Sequence, residues 1–218
     1  MTEPDDPAMA LRLQAGDELR AVIDTLLTRD TPVAGLEDAL RQLRGARQSL
    51  DGPPQAPFNA APDYWVHDPG RAGRWDAYMD MTMFGGRVNP LGMPMPVHTG
   101  TDEEGRQWAE GVVRLGRAYL GGPNMVHGGY VAGLIDHMFG AALHAGPVVA
   151  VTASLTIRYV SPTPIDQDLR VRAWFEARKG RRLHGRATCH AGETCTAEAE
   201  ALFLRVDMQS MAEQMGAL

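Results

Sequence analysis

The chain has 218 residues, 44% of them hydrophobic, and a formal net charge of −6 at pH 7, which fits one folded core with an accessory segment and argues against nonspecific binding to nucleic acid. No apolar run approaches the roughly 20 residues that cross a bilayer. Residues 1–6 are acidic where a secretory signal is basic, so we expect a cytoplasmic protein without a membrane span.

Two amphipathic helices are predicted between residues 8 and 50. Apolar side chains recur at helical spacing in residues 19–27 and again in residues 36–43. Thr31-Pro32 lies between the two runs and is typical of a cap followed by a first-turn proline. A proline-rich stretch at 51–57 ends the helical pattern. We therefore divide the chain into a helical N-terminal extension with its linker, a main domain and a C-terminal tail, at residues 1–60, 61–207 and 208–218.

The pattern of apolar and polar residues in the main domain predicts an antiparallel sheet that surrounds one long helix. The helix is predicted from residue 129 to residue 142, where apolar residues form one continuous stripe. Before it, short strands are predicted at 81–84 and 107–115. After it, alternation of apolar and polar residues predicts longer strands at 148–160, 169–177, 183–190 and 194–206.

The register of the last three strands follows from two predicted three-residue turns, each with a glycine available for positive φ. The turns are Lys179-Gly180-Arg181 and Ala191-Gly192-Glu193. Facing residues must share a side of the sheet, so the predicted rows are Trp174 with Arg186 and Glu198, Glu176 with His184 and Glu200, and Cys189 with Cys195.

The chain contains two cysteines, Cys189 and Cys195. No neighbouring Cys or His has the spacing of a zinc site, so we expect neither a metal site nor a disulfide framework. In a reducing compartment both are expected to be free thiols.

The strongest functional pattern is the sequence from Asn124 to Asp136. His127-Gly128-Gly129 opens the predicted helix, and the two glycines let the backbone approach a ligand closely. The unpaired N–H groups of the first helical turn can stabilise an oxyanion. Asp136 places a carboxylate beside the apolar stripe, where such a group is usually paired or functional. We interpret Asp136 as a catalytic acid, with a hydrogen bond to the local backbone or to His137 as the alternative.

Together these motifs resemble the hotdog acyl-CoA thioesterases of the phenylacetate-pathway type, which include the human thioesterase superfamily members. The resemblance rests on His127-Gly128-Gly129, on Asp136 nine residues after His127, and on residues 152–164 with their Tyr-x-x-Pro sequence; it covers residues 80–206. It implies an α+β hotdog fold, an antiparallel sheet wrapped around a central helix. The helical N-terminal extension, predicted from its own periodicity, has no recognised counterpart in the family. It also implies hydrolysis of an acyl-CoA to the free acid and CoA, with no cofactor apart from the CoA of the substrate.

The resemblance implies roles for five catalytic candidates. Asp136 corresponds to the acid that activates a water or attacks the thioester carbonyl itself. Gly129, together with Gly128, corresponds to the N–H donor for the thioester oxygen, and His127 to the residue that shapes the turn. Thr152 corresponds to a hydroxyl that holds the nucleophilic water. His127 has a simpler alternative role, a hydrogen bond to a backbone carbonyl.

Seven further residues are candidate substrate-binding residues: Asn124, Ser154, Arg158, Arg178, Lys179, Arg181 and Arg182. The last four crowd one turn, which is either a solvated hairpin tip or a contact for the phosphates of CoA. Thr152 and Ser154 are expected to share a strand face with Thr156, so either hydroxyl could be an ordinary sheet residue. Some relatives have an Asn six residues before the His, where this chain has Gly121, so that role is not transferred to Asn124.

The spacing of the donor and the acid predicts a site shared by two chains. Gly129 and Asp136 lie seven residues apart, about 10.5 Å along a helix, whereas each must come within about 3 Å of the reacting centre. We therefore expect a homo-oligomer, a dimer or a dimer of dimers, in which Gly129 of one subunit works with Asp136 of another. The hotdog family is similar in this respect.

Two alternatives to a thioesterase stay open. A hotdog enoyl-CoA hydratase or dehydratase needs a His and a carboxylate that face one substrate, and no matching motif is present. A non-catalytic acyl-CoA sensor would use the N-terminal helices to transmit the ligand state to a partner, and Asp136 would only hold a water.

Overall fold

The computed structural model describes residues 6–53, 80–146, 148–176 and 180–206. Two helices come first, α1 at Pro7–Thr28 and α2 at Val33–Ser49. The main domain then contains strands β1 to β6, a short 3-10 helix at Arg117–Tyr119 and the central helix α3: β1 Val97–Thr101, β2 Gln107–Arg114, α3 Gly128–Leu143, β3 Ala150–Tyr159, β4 Asp168–Phe175, β5 Arg182–Ala191 and β6 Thr194–Arg205.

The six strands form one antiparallel sheet in the order β1-β2-β4-β5-β6-β3. Strands β2 and β4 alternate between buried and more exposed residues, and their buried faces pack against α3. This one-sided burial is what a sheet wrapped around a helix requires. The predicted hotdog arrangement is confirmed.

Three aromatic rings fix α3 on the sheet. Phe139 of the helix lies 5.7 Å from Phe175 and 5.6 Å from Phe203, measured between ring centroids. Phe139 approaches the backbone of β5 closely, since a Cβ added at Gly185 would lie 2.5 Å from its ring. The glycine in β5 therefore makes room for the helix.

The predicted strand at 81–84 is wrong. This segment turns instead, and Phe84 packs against α3 so closely that a Cβ at Gly133 would come within 2.0 Å of its ring. The apolar residues there cover the helix rather than extend the sheet. The actual first strand, β1, has the sequence VHTGT with one aliphatic residue, too little alternation for the sequence to indicate a strand.

The predicted register is confirmed between β4 and β5 and wrong between β5 and β6. Trp174 faces Arg186 as expected, but Arg186 faces Glu200, and Cys189 faces Ala197. The hairpin turn holds two residues instead of three, because Ala191 pairs with Thr194, and Gly192 takes a φ of 56°. Thr196 is then an extra residue in β6, a β-bulge. The shorter turn and the bulge each shift the pairing by one residue, so together they displace it by two residues and the side chains beyond the bulge stay on their predicted side of the sheet.

Both N-terminal helices are confirmed, but only one of them has a residue buried against the main domain. Gly16 of α1 is buried against the main domain, whereas α2 has no buried residue. Pro32, rather than Thr31, is the N-cap of α2, and it makes no side-chain cap bond. The linker after residue 53 and the tail from residue 208 lie outside the described residues.

Both cysteines are free thiols, as expected. Among the described helices, none combines the length and apolarity that a membrane span needs.

Candidate active site

The first turn of α3 is capped by the side chain of His127. Its Nδ1 atom accepts a hydrogen bond from the N–H of Gly129 at 3.0 Å, so the histidine bonds a backbone N–H rather than a carbonyl. The N–H groups of Tyr130 and Val131 donate to the carbonyl of His127. In the described part of the chain, the N–H of Gly128 has no hydrogen-bond partner. Gly128 therefore presents the available donor of this helix start.

The turn that leads into α3 is held by backbone hydrogen bonds. The N–H of Val126 donates to the carbonyl of Thr163 at 2.8 Å, and the N–H of His127 donates to that of Tyr119 at 2.8 Å. Asn124 adopts a φ of 55°, a conformation that asparagine tolerates better than most residues. Its visible role is thus to shape the turn, with its own carbonyl accepting from the N–H of Ile165.

The carboxylate of Asp136 is bound by a hydroxyl from the sheet. Thr152 Oγ1 donates to Asp136 Oδ1 at 2.9 Å across 16 residues of sequence. Asp136 is half-buried on α3, and Thr152 is exposed on the edge strand β3. The partner is a long-range hydroxyl, not the local backbone or His137, and a hydrogen bond to an ionised acceptor of this kind holds the carboxylate in one orientation.

A β-bulge at Ala153 directs Thr152 toward the helix. Thr152 pairs with Phe203, whereas Ser154 pairs with Leu202, so Ala153 is the extra residue. Because paired residues share a side of the sheet and Phe203 is buried on the helix side, Thr152 faces the helix and Ser154 faces away. The expectation that Thr152 and Ser154 share a face is therefore wrong, since a bulge reverses the alternation at that point.

Tyr159 joins the same helix end, a role that the sequence analysis missed. Its hydroxyl donates to the carbonyl of Gly128 at 2.8 Å. The available signal was the Tyr-x-x-Pro sequence at the end of β3. Strand β3 thus contacts α3 at two points, with Thr152 at Asp136 and Tyr159 at Gly128. Eight residues separate these two helix positions, about 12 Å along the axis.

The imidazole of His137, which follows the candidate acid in the sequence, is packed inside the domain. Burial lowers the pKa of His137 to about 4, so the imidazole is neutral at pH 7. Its Nε2 is buried without a hydrogen-bond partner among the described residues, and a Cβ at Gly85 would lie 3.2 Å from it. The ring packs beneath the turn that carries Phe84.

The basic candidates lie at different places on the sheet. Arg158 points to the outer face, where it forms an ion pair with Glu198. Arg181 and Arg182 are exposed at the start of β5. Arg182 pairs with Leu204, which in turn pairs with Val151, so the start of β5 lies at the Thr152 end of β3, two strands or about 10 Å away. Arg178 and Lys179 lie outside the described residues.

Comparison with known proteins shows that this chain is similar to thioesterases. Residues 123–198 match the family model described as the thioesterase superfamily. The acyl-coenzyme A thioesterase THEM4 of Mus musculus is 37% identical over 90 residues, which cover 40% of this chain and 38% of that protein, so the chain spans well under half of this curated relative. The crystal structure of protein RHA08564, a thioesterase superfamily protein, is 26% identical with a TM-score of 0.72 and covers 94% of each chain. The segment matched by the family model contains His127, Asp136 and Thr152.

Proposed function

We propose that this chain, whose hotdog domain is similar to the thioesterase superfamily, hydrolyses an acyl-CoA thioester to the free acid and CoA. The observation that carries the proposal is the carboxylate of Asp136, held at 2.9 Å by the hydroxyl of Thr152 on the family-matched segment. The reaction needs no added cofactor, because CoA is part of the substrate.

The proposed chemistry assigns the proton transfers to Asp136. Its carboxylate takes a proton from a water, and the water oxygen bonds to the thioester carbonyl carbon. The carbonyl becomes an oxyanion, then re-forms as the C–S bond breaks, and the departing thiolate takes the proton from Asp136. In the alternative course Asp136 attacks the carbonyl carbon and the C–S bond breaks, which releases CoA as the thiolate and leaves a mixed anhydride that water then hydrolyses. The hydrogen bond from Thr152 orients the carboxylate in both courses.

The oxyanion donor in this proposal is the backbone at the start of α3. The N–H of Gly128 is the first choice because it has no partner in the described part of the chain, whereas the N–H of Gly129 must first leave His127 Nδ1. Such preorganised donors stabilise the charge that develops on the carbonyl oxygen.

The proposed site is shared between two chains because donor and acid are about 12 Å apart in one chain. Strand β3 is a ten-residue edge of the sheet, and an exposed edge of this length is a template for pairing with another strand. If β3 pairs antiparallel with β3 of a second copy, the Thr152 end of one strand lies beside the Tyr159 end of the other. Asp136 of one subunit then approaches Gly128 of its mate, which gives two equivalent sites in a homodimer.

The proposed position for the CoA phosphates is the basic turn before β5. Arg181 and Arg182 are exposed at the Thr152 end of the sheet, and guanidinium groups bind phosphate in a bidentate manner. Arg178 and Lys179 precede them in the sequence. Arg158 is a weaker candidate because Glu198 already holds its guanidinium.

The test of the reaction is thiol release from a panel of short, medium and long acyl-CoAs. The wild type is expected to release CoA from at least one of them, and Asp136→Asn to release it far more slowly. A chain that binds acyl-CoA without turnover is a sensor, and one that changes only the enoyl absorbance of an enoyl-CoA is a hydratase. Either result rejects the thioesterase proposal.

The test of the shared site is complementation between two inactive variants. Gly128→Pro removes the N–H at the first helical position, where proline is favoured, and Gly128→Ala is the matched control, since it adds the same Cβ 3.1 Å from the Tyr159 ring but keeps the N–H. Mixed Asp136→Asn and Gly128→Pro chains are expected to recover about a quarter of wild-type activity, because half of random dimers are heterodimers with one intact site. No recovery in verified heterodimers would mean that each chain forms its own site.

A further inference from the structure

Arg20 of α1 binds a turn of the main domain that is distant in sequence. Its Nη1 atom donates to the carbonyl of Asn89 at 3.1 Å and lies 3.4 Å from that of Gly92, and its Nη2 atom donates to the carbonyl of Arg87 at 2.7 Å. Nη2 also contacts Asp17 at 2.6 Å. The side chain of Arg20 is only 11% exposed. A guanidinium has five N–H donors and no acceptor, so it suits a site lined by carbonyls.

Gly16, one turn earlier on the same face of α1, contacts the same turn. A Cβ at Gly16 would lie 2.4 Å from the carbonyl oxygen of Arg87 and 2.9 Å from that of Val88. Residues four apart share a helix face, so Gly16 and Arg20 hold α1 against residues 87–92 together. We name residues 87–92 the clamped turn.

The clamped turn continues to the start of α3 through Leu91. The hydroxyls of Tyr119 and Tyr130 each lie 3.5 Å from the carbonyl oxygen of Leu91, and their ring centroids are 4.4 Å apart. Tyr130 directly follows Gly129 in the first turn of α3. Both hydroxyl contacts are at the outer limit of hydrogen-bond distance, so a shift of Leu91 by a few tenths of an ångström breaks them.

We infer that Arg20 is a positioning residue for the start of α3: it fixes the clamped turn, and through Leu91 and Tyr130 it sets the position of the Gly128 and Gly129 N–H groups. The inference rests on the proposed function, in which these groups face the thioester oxygen. Reactions of this kind are sensitive to displacement of the aligned groups by an ångström or less. The N-terminal extension then contributes to catalysis without contact to the substrate.

The test compares three variants of the full-length protein. Arg20→Met removes the donors and keeps an apolar stem, Arg20→Lys keeps the charge with fewer donors, and Arg41→Met is the matched control on α2, where Arg41 pairs only with Asp38 among the described residues. Arg20→Met is expected to lower kcat for acyl-CoA hydrolysis about tenfold with little change in KM. Arg20→Lys should recover part of the loss, and Arg41→Met should match the wild type. Equal kcat in Arg20→Met and wild type, or a loss that only reflects the unfolded fraction, would overturn the inference.

A second readout separates this inference from the proposed function. Amide hydrogen exchange of residues 129–131, whose N–H groups are bonded to His127, is expected to be about tenfold faster in Arg20→Met than in the wild type, with exchange in β6 unchanged. A wild type that hydrolyses no acyl-CoA rejects the proposed function, whereas equal exchange at residues 129–131 rejects the clamp whatever the activity.

Discussion

Helix α3 carries two regions that are held in different ways. Its buried stripe is held by apolar packing, since Ile135, Met138 and Phe139 are completely buried. Its polar flank is held by contacts from β3: Thr152 bonds Asp136, and Tyr159 bonds the carbonyl of Gly128. The difference indicates that the buried stripe determines the stability of the domain and that the polar flank determines its chemistry.

Asp136→Asn is the sharpest test of this separation. The amide keeps the shape of the side chain and an oxygen that accepts from Thr152, but it cannot take up a proton. We expect kcat to fall on the order of 10³-fold, while the free energy of unfolding changes by less than about 1 kcal/mol. Thiol-release kinetics and urea unfolding give the two values, and near-normal hydrolysis would exclude Asp136 from the chemistry.

Phe139→Ala should show the opposite behaviour. Removal of a ring that packs on both Phe175 and Phe203 leaves a cavity, and we expect the free energy of unfolding to fall by about 3 to 4 kcal/mol. The activity per folded molecule should stay within a few-fold of the wild type. Phe139→Leu is the control, with a smaller loss. If kcat of the folded fraction collapsed in both variants, the buried stripe and the polar flank of α3 would not be independent.

We expect the stability of the domain to depend on pH because of His137, which packs beneath the turn that carries Phe84. Burial lowers its folded-state pKa to about 4 from 6.5, so between these values only the unfolded chain binds the proton. The stability is therefore complete above pH 6.5 and falls as the pH drops toward 4, by about 2 to 3 kcal/mol. Urea unfolding at pH 5 and pH 7 measures this slope. His137→Phe should flatten it, whereas His184→Phe, at an exposed position, should not.

Thr152→Val probes the smallest of the four effects. The substitution keeps the β-branched shape and removes the hydroxyl that orients Asp136, so we expect kcat to fall about tenfold, equivalent to about 1.4 kcal/mol in the barrier. Thr152→Ser should retain most of the activity. Ser154→Ala, one residue beyond the bulge on the other face, should leave kcat unchanged; a loss there equal to that of Thr152→Val would contradict the assignment of faces.

Local patterns were sufficient to predict the helix and its candidate acid. His127-Gly128-Gly129 marks the start of α3, and the apolar stripe from residue 131 to residue 142 places Asp136 on its flank, because helical periodicity depends only on neighbours in sequence. The side of the sheet on which Arg186 and Glu200 lie was also predictable, since alternation is local. The hotdog architecture followed from the resemblance of these motifs and not from their periodicity.

The partners of the site residues depended on contacts between distant segments. The bulge at Ala153 places Thr152 opposite Asp136, and the bulge at Thr196 shifts the pairing of β6, yet neither residue differs from an ordinary strand residue in the sequence. Arg20 likewise looks like one charged residue on an amphipathic helix, although its carbonyl partners lie 67 to 72 residues away.

The amino-acid sequence alone thus determined where the helix begins, which carboxylate lies on its flank and which residues of β4 and β5 face the core, because these depend on spacings of a few residues. The tertiary structure decided which hydroxyl meets that carboxylate, which N–H at the helix start is available and where the N-terminal helix is anchored. Those outcomes depend on single-residue shifts in strand pairing and on long-range packing, which local spacing does not encode.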